Sequence, residues 1–494
     1  MGVVFKQSVK GTIASLIGAG IGFVSTFFIL TQVLTPEEIG LTRVLVEAAI
    51  LIGGWALLGT QSSAIRYYPA FRTPDGSDRG FFKILLLIPL VGFAFFSLLY
   101  ILFRSPLIEY FSRSDGSDSL FARYYLLVLP LMLFIMYQTL IEVYCSLRQR
   151  IFIPKALREV LLRILLLICY VVYGIWRFPF EQFMLLFVLV YGITSLFCLG
   201  YALRISPQSL KAPIMAIDKG VKRDFTHYTL FTLMSALGGS IISRLDIFMV
   251  SSQMGLNYSG IYTIAFFIVA VIEMPSRSLL SMTSPMVSQA LYEGDIGETN
   301  RLFRKVSVQQ LLVGTLFFLL IWINIDSIFR VIPHSEVYGQ GKWVVFFLGL
   351  GRLVDLTFNL GNAVLRYSKY YAWTLAYTIL VTLLTIVLNY FFIERLGMMG
   401  AAMATLITYV VSYAFQQVVL GIKLRIRVIH GETLWIIGTL AVVLLVHYFL
   451  PKLPLWWVDS LYRSLICGGL AVMILYRTES FQTILREVKS VIHK

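Results

Sequence analysis

Polar and apolar positions in this chain alternate on a scale of about twenty residues, the length that carries a helix across a bilayer. Apolar runs have the approximate limits 11–34, 41–63, 82–104, 122–146, 156–176, 180–203, 225–253, 258–282, 306–326, 342–365, 372–393, 398–421, 433–450 and 460–476. A transmembrane β-strand is only about ten residues long and alternates in polarity. These runs are about twice that length and apolar on every face. They therefore predict helices, which satisfy their backbone hydrogen bonds span by span in lipid. The expected fold class is an all-α integral membrane protein with about 14 transmembrane helices.

Composition supports this reading. Of 494 residues, 58% are hydrophobic and 14% charged, against roughly 25% charged in soluble domains. No long polar segment is left over for a soluble domain. The net charge of +15 would suggest nucleic acid on a soluble protein. Here the basic residues fall in alternate loops, as the positive-inside rule requires. One side takes the N-terminus and every even-to-odd loop, with Lys6, Lys10, Arg66, Arg72, Arg79, Lys83, Arg148, Arg150, Lys155 and Arg158 in the first half. It continues with Arg204, Lys211, Lys219, Lys222, Arg223, Arg301, Arg304, Lys305, Arg366, Lys369, Lys423, Arg425 and Arg427. The other side holds far fewer, among them Arg104, Arg177, Lys342 and Lys452. This asymmetry predicts cytoplasmic N- and C-termini and an even number of spans. The first run is longer than a signal peptide's apolar region and reads as a retained span.

The longest inner loop contains Pro207 and Pro213 and divides the chain. Residues 1–204 form an N-lobe of six spans, 205–224 a cytoplasmic linker, 225–421 a C-lobe of six spans, and 422–494 two further spans and a cytoplasmic tail. The halves carry a faint repeat. A shift of 220 residues lays TQVLTPEEIGLTRV (31–44) on SSQMGLNYSGIYTI (251–264), with Phe28 on Phe248 and Gly40 on Gly260. Internal repeats are common in secondary transporters, with the substrate site at the repeat interface.

Enzyme chemistry has little foothold. Cys145, Cys169, Cys198 and Cys467 lie in apolar runs without metal-like spacing, and the five histidines are scattered. No HExxH, phosphate-binding loop or nucleophile elbow occurs. No catalytic residue, metal site or bound cofactor is expected. The functional signal is charge inside apolar runs, which is costly in lipid and marks polar pathways. Arg43 and Glu47 lie in the second run, Arg244 and Asp246 in the seventh, Glu273 and Arg277 in the eighth, and Arg352 and Asp355 in the tenth. Pairs 43/47 and 273/277 are at i,i+4 and 352/355 at i,i+3, so each can share one helical face.

Two readings of these charges stand side by side. They are ion pairs between packed helices, or they line a wet interior. On the second reading Arg43, Arg244, Arg277 and Arg352 form a cationic substrate-binding cavity suited to phosphate, because the guanidinium fork matches phosphate oxygens. Glu47, Asp246, Glu273 and Asp355 then either pair with them or take a coupling Na⁺ or H⁺. Glu142 and Arg163 are expected to pair structurally across neighbouring helices.

Three segments carry a family resemblance: VLTPEEIGLTRV after the first run, SRLDIFMVSSQMGLNYSGIYTIA across the seventh and eighth, and RLGMMGAAMATLIT (395–408) at the twelfth. With the layout of twelve plus two spans, the chain resembles the polysaccharide transporter (oligosaccharide flippase) family of the multidrug/oligosaccharidyl-lipid/polysaccharide (MOP) exporter superfamily. The resemblance implies two six-helix lobes in a V around a cationic cavity. It implies translocation of undecaprenyl-diphosphate-linked oligosaccharide from the inner to the outer leaflet of a bacterial inner membrane, with ion coupling in some members. Membrane lipids and glycan-assembly proteins are the implied partners, and nucleic acid is not. The alternatives are a cation-coupled multidrug exporter of the same superfamily and a membrane glycosyltransferase or polymerase. The last would need a larger extramembrane loop than 105–121.

Overall fold

The computed structural model describes residues 2–71, 80–111, 120–205 and 244–483, together with Asp78, Thr229 and Arg486. Among the described residues helices are the regular structure and no strand occurs. The main ones are α1 (Gly2–Val24), α2 (Pro36–Ala56), α3 (Thr60–Phe71), α4 (Phe81–Leu102), α5 (Val128–Leu147), α6 (Leu162–Trp176) and α7 (Phe180–Ile205). They are followed by α8 (Leu245–Met254), α9 (Leu256–Tyr292), α10 (Ile296–Ile323), α11 (Lys342–Phe358), α12 (Ala372–Leu424), α13 (Gly431–Phe449) and α14 (Trp456–Leu475).

Twelve helical stretches among the described residues are long and apolar enough to cross a bilayer. The difference from fourteen has two sources. First, α12 is a continuous 53-residue stretch holding both the 372–393 and 398–421 runs. It is broken at Gly397, whose φ of 60° and ψ of −142° are not helical, a backbone region open essentially to glycine alone. Second, the 225–253 run lies outside the described residues as far as position 243, Thr229 excepted, and α8 is its end.

Local signals explain the element ends. The second run extends back to Pro36 because Thr35 builds a capping box: its hydroxyl accepts from the Glu38 amide, and the Glu38 carboxylate accepts from the Thr35 amide at 2.8 Å. Proline at the first helical position adds a pre-set φ and forfeits no hydrogen bond. The same run stops short of residue 63 because Leu58 (φ 51°) and Gly59 (φ 78°) turn the chain before α3 begins.

The chain divides into two compact units, Met1–Gly260 and Ile261–Lys494, with the boundary inside α9. The predicted linker 205–224 lies outside the described residues beyond Ile205. In the first unit, Ala56, Tyr68, Phe71, Phe81, Phe82, Leu85, Met136 and Tyr144 form a buried cluster joining α2, α3, α4 and α5. In the second, Val287, Phe303, Leu360, Val364, Val419 and Leu420 form another. Leu319 and Ile323 of α10 pack with Val443, Cys467 and Ala471, which seats the α13–α14 hairpin on α10. Lipid tails are as apolar as these side chains, so shape fit and polar bonds hold such helices together.

Polar bonds reinforce the hairpin. Asn324, at the end of α10, donates to Ser464 at 2.9 Å and accepts from Ser460. Arg463 is buried with every guanidinium nitrogen bonded. Its Nε donates to both Asp459 oxygens at 3.0 and 2.9 Å, its Nη2 to the Leu450 and Pro451 carbonyls at 3.0 Å each, and its Nη1 to the His447 carbonyl at 3.3 Å. Nearby, Asp326 in the short helix Ile325–Val331 receives Lys342 and Lys452. Partial burial alone would raise this carboxyl, yet the two lysine hydrogen bonds and charges hold it below the usual carboxylate range.

Candidate functional site

The described candidate site residues gather around two ion-pair clusters, one in each unit. In the first unit Arg43 and Glu47 lie one turn apart on α2, and the Arg43 guanidinium meets the Glu47 carboxylate at 2.7 Å. Arg244, immediately before α8, places its Nε 2.8 Å from the other oxygen of Glu47. One carboxylate is thus shared by two guanidiniums. Glu47 is 10% exposed, while Arg43 and Arg244 keep 24% and 18% of their side-chain surface. The two arginines are therefore reachable, and the acid that holds them is nearly covered. Asp246 is half-buried in the first turn of α8.

In the second unit the cluster is acidic. Arg352 on α11 lies 3.7 Å from Glu273 of α9 and 3.8 Å from Asp355 one turn along its own helix. Its guanidinium also sits over the Phe266 ring, 5.7 Å from the centroid. Asp355 accepts a hydrogen bond from the Tyr413 hydroxyl of α12. Around Tyr413 stand Phe358, Tyr377 and Tyr409, with ring centroids 5.8, 5.9 and 6.1 Å away. Two acids to one arginine, with an aromatic hydroxyl on one of them, is a set that can hold a proton or a small cation. The Arg277 side chain lies outside the described residues, so its predicted pairing with Glu273 does too.

The Arg43–Glu47 and Arg352–Asp355 pairs occur at their predicted spacings. The predicted Glu142–Arg163 pair does not form. Glu142 receives Arg158 at 2.7 Å, and Arg163 bonds to Glu159 at 3.3 Å, one turn back on its own helix. A π-helical turn at Leu157–Leu161 adds a residue to the register between Arg158 and Arg163, which sequence spacing does not reveal. The sequence reading also passed over Arg463, although Asp459 and Arg463 stand at i,i+4 within the last apolar run. Tyr413 went unnoticed because tyrosine is too common here, at 27 residues, to stand out.

Comparison with known proteins agrees with this architecture. The MatE family model matches residues 232–391. Among curated proteins, the probable low-salt glycan biosynthesis flippase Agl15 of Haloferax volcanii is 21% identical over 214 residues. That match takes in 43% of this chain and 45% of Agl15, so it spans less than half of the relative. Among solved structures, the lipid II flippase MurJ in an inward closed conformation superposes with a TM-score of 0.70 at 14% identity, over 96% of this chain and 99% of that one. An inward-facing multidrug resistance MATE family transporter of the MOP superfamily gives 0.57 at 15% identity, over 86% and 95%. A point mutant of the MATE transporter VcmN of Vibrio cholerae gives 0.59 at 14% identity, over 86% and 96%. The protein is a multi-pass membrane protein with the fold of the MOP-superfamily transporters, and its residues 232–391 are similar to the MatE family model.

Proposed function

We propose that this protein is a flippase for a polyprenyl-diphosphate-linked oligosaccharide in a bacterial inner membrane, with both termini in the cytoplasm. The observation that carries the reading is the Arg43–Glu47–Arg244 cluster, two partly exposed arginines sharing one covered carboxylate within apolar spans. An arginine pair matches the oxygens of a diphosphate in geometry and charge. It lowers the desolvation cost that bars such a headgroup from the bilayer. The headgroup binds at Arg43 and Arg244 from the cytoplasmic side while the prenyl tail stays in lipid. The Glu273–Arg352–Asp355–Tyr413 cluster takes up H⁺ or Na⁺ and returns the empty carrier. Arg352 then serves the coupling site more than the substrate, because two carboxylates already flank it. The name of Agl15 as a probable glycan biosynthesis flippase and that of MurJ as a lipid II flippase support this reading.

A second reading, a cation-coupled multidrug exporter, draws on the MatE match and on the acidic, aromatic character of the second cluster. Purified protein in liposomes separates the two. A flippase moves a fluorescent polyprenyl-diphosphate glycan between leaflets and leaves ethidium in place, and a drug exporter does the reverse.

A further inference from the structure

The acidic cluster of the second unit does not end at Tyr413. The Tyr413 hydroxyl donates to Asp355. Next to it stands Tyr377, which hydrogen-bonds Tyr413 on one side and Asn362 on the other. Asn362, in the short helix Leu360–Tyr367, in turn meets the Gln416 amide at 2.6 Å. These side chains form one continuous row, Asp355–Tyr413–Tyr377–Asn362–Gln416, along helices that are otherwise apolar. Tyr413 and Gln416 are buried, and Tyr377 and Asn362 are half-buried. Polar and ionisable groups are expensive inside apolar spans, and rows of them mark proton and ion paths.

The chemistry of the row favours a proton. A tyrosine hydroxyl both donates and accepts a hydrogen bond, so two in series can pass a proton along. Tyr377 gives its hydrogen to Tyr413 as Tyr413 gives its own to Asp355, and Tyr377 takes a replacement from a hydronium ion, leaving water. Each tyrosine ends as it began, and one proton has moved. Asn362 passes nothing on; its amide positions Tyr377. The charged and titratable groups facing Asp355 are Glu273 from α9, Arg352 on its own helix, and Tyr377, Tyr409 and Tyr413 from α12. Arg352 lies 3.7 Å from Glu273 and 3.8 Å from Asp355. A proton on Asp355 removes its charge and leaves Arg352 matched with Glu273 alone. A hard metal cation needs several oxygen ligands, and here it would enter a space that the guanidinium already occupies and meet its positive charge.

We propose that Asp355 is the coupling carboxyl, that its ion is the proton, and that Tyr377 and Tyr413 relay it. The relay opens toward the start of α12, where the preceding loop carries Arg366 and Lys369 and so belongs on the cytoplasmic side. A protonated Asp355 donates to Tyr413 where it had accepted, so the hydroxyls along the row reverse direction. Arg352 then loses one of its two carboxylate partners, which weakens the tie within α11 and leaves the tie to α9. This inference rests on the transport reading above and narrows its coupling step, and its test can fail separately from that reading.

The first experiment needs no transport. The full chain in lipid is titrated by infrared difference spectroscopy, and the carboxylic-acid C=O band missing from Asp355→Asn is assigned to Asp355. That band should grow as pH falls and stay unchanged when Na⁺ replaces choline at constant pH. Photolysis of a caged proton then starts the reaction, and the growth of the band is timed. Tyr377→Phe removes no bond to Asp355, yet it should slow the growth at least about tenfold and leave the final band the same size. Tyr413→Phe should slow it as well. Tyr367→Phe, at an exposed tyrosine on the helix that carries Asn362, should match wild type. Growth at the wild-type rate in Tyr377→Phe overturns the relay. A band that Na⁺ suppresses overturns the choice of ion, and a protein with no Asp355 band at any pH overturns both. The second experiment follows a fluorescent polyprenyl-diphosphate glycan in liposomes under a pH gradient or a Na⁺ gradient. Flipping should respond to the pH gradient and be slowed in Tyr377→Phe; flipping that follows the Na⁺ gradient overturns the proposal. Absence of flipping in wild type, with the infrared pattern as expected, overturns the substrate assignment and leaves the relay standing.

Discussion

Glu47→Gln is the change most informative about the first cluster. Wild-type Glu47 meets Arg43 at 2.7 Å and Arg244 at 2.8 Å. Glutamine keeps the shape and one acceptor but removes the charge. Replacing the shared carboxylate by a neutral amide weakens both ion pairs and costs about 2–3 kcal/mol, below the roughly 3–5 kcal/mol for breaking a fully buried pair because both arginines keep part of their surface exposed. The two guanidiniums also lose the charge that offset their repulsion. At an effective dielectric of about 20 and a separation of about 6 Å that repulsion is about 3 kcal/mol, and their partial exposure screens much of it. A total loss of about 3–4 kcal/mol follows, in line with the removal of one partner from a buried pair. A diphosphate restores the missing charge. Recovering only about 1.4 kcal/mol of the loss tightens its binding tenfold. The variant should therefore melt at a lower temperature than wild type, bind a short-chain polyprenyl diphosphate at least about tenfold more tightly, and flip more slowly because release is hindered. Thermal-shift titrations with the diphosphate, the monophosphate and the free alcohol read all of this except flipping. Unchanged or weaker diphosphate affinity would refute the reasoning and make the arginines structural.

Three further outcomes follow from the structure. Arg463→Met removes the bonds that tie Asp459, His447, Leu450 and Pro451 together, leaves Asp459 without its arginine, and should cost about 3 kcal/mol; Arg463→Lys should recover only part, since lysine lacks the planar fork. Limited proteolysis between α13 and α14 and thermal melting check it. Gly397→Ala forces a side chain into a backbone region that only glycine enters freely and should cost about 1–3 kcal/mol, while Gly438→Ala, with nothing within 4 Å of its Cβ, should melt close to wild type. Asp326 has a depressed folded-state pKa, so its contribution is fully present above the unfolded carboxylate value of about 3.9 and is lost as pH falls through the lower folded value. The gap in melting temperature between wild type and Asp326→Asn should therefore be constant at neutral pH and shrink under acid; a gap that widens in acid would reverse the assignment.

Much of the fold was legible because a bilayer filters sequence harshly. Apolar runs near 180–203 and 82–104 became α7 and α4 within a residue or two. Helix breaks were legible only where chemistry marks them, as at Gly397 within RLGMMG, and not at Leu58, an ordinary apolar residue with positive φ. Pairs within one helix could be read from i,i+4 spacing, as for Arg43 and Glu47. Pairs between helices could not, because register decides them. Glu47 with Arg244 and Glu273 with Arg352 join segments nearly 200 and 80 residues apart, and Glu142 meets Arg158, within the π-helical turn Leu157–Leu161, in place of Arg163. The contrast between an arginine-rich cluster and an acidic one follows from those cross-helix pairings and has no signature in the linear sequence.

The most direct test of the central claim is leaflet-to-leaflet transfer of a fluorescent polyprenyl-diphosphate glycan by protein in liposomes, wild type beside Arg43→Gln with Arg244→Gln. Circular dichroism and melting establish that the variant is folded. Wild type should flip the lipid, and the folded double variant should lose flipping and diphosphate binding together. Equal flipping by both would contradict the account, since it would show that the two arginines do not carry the headgroup.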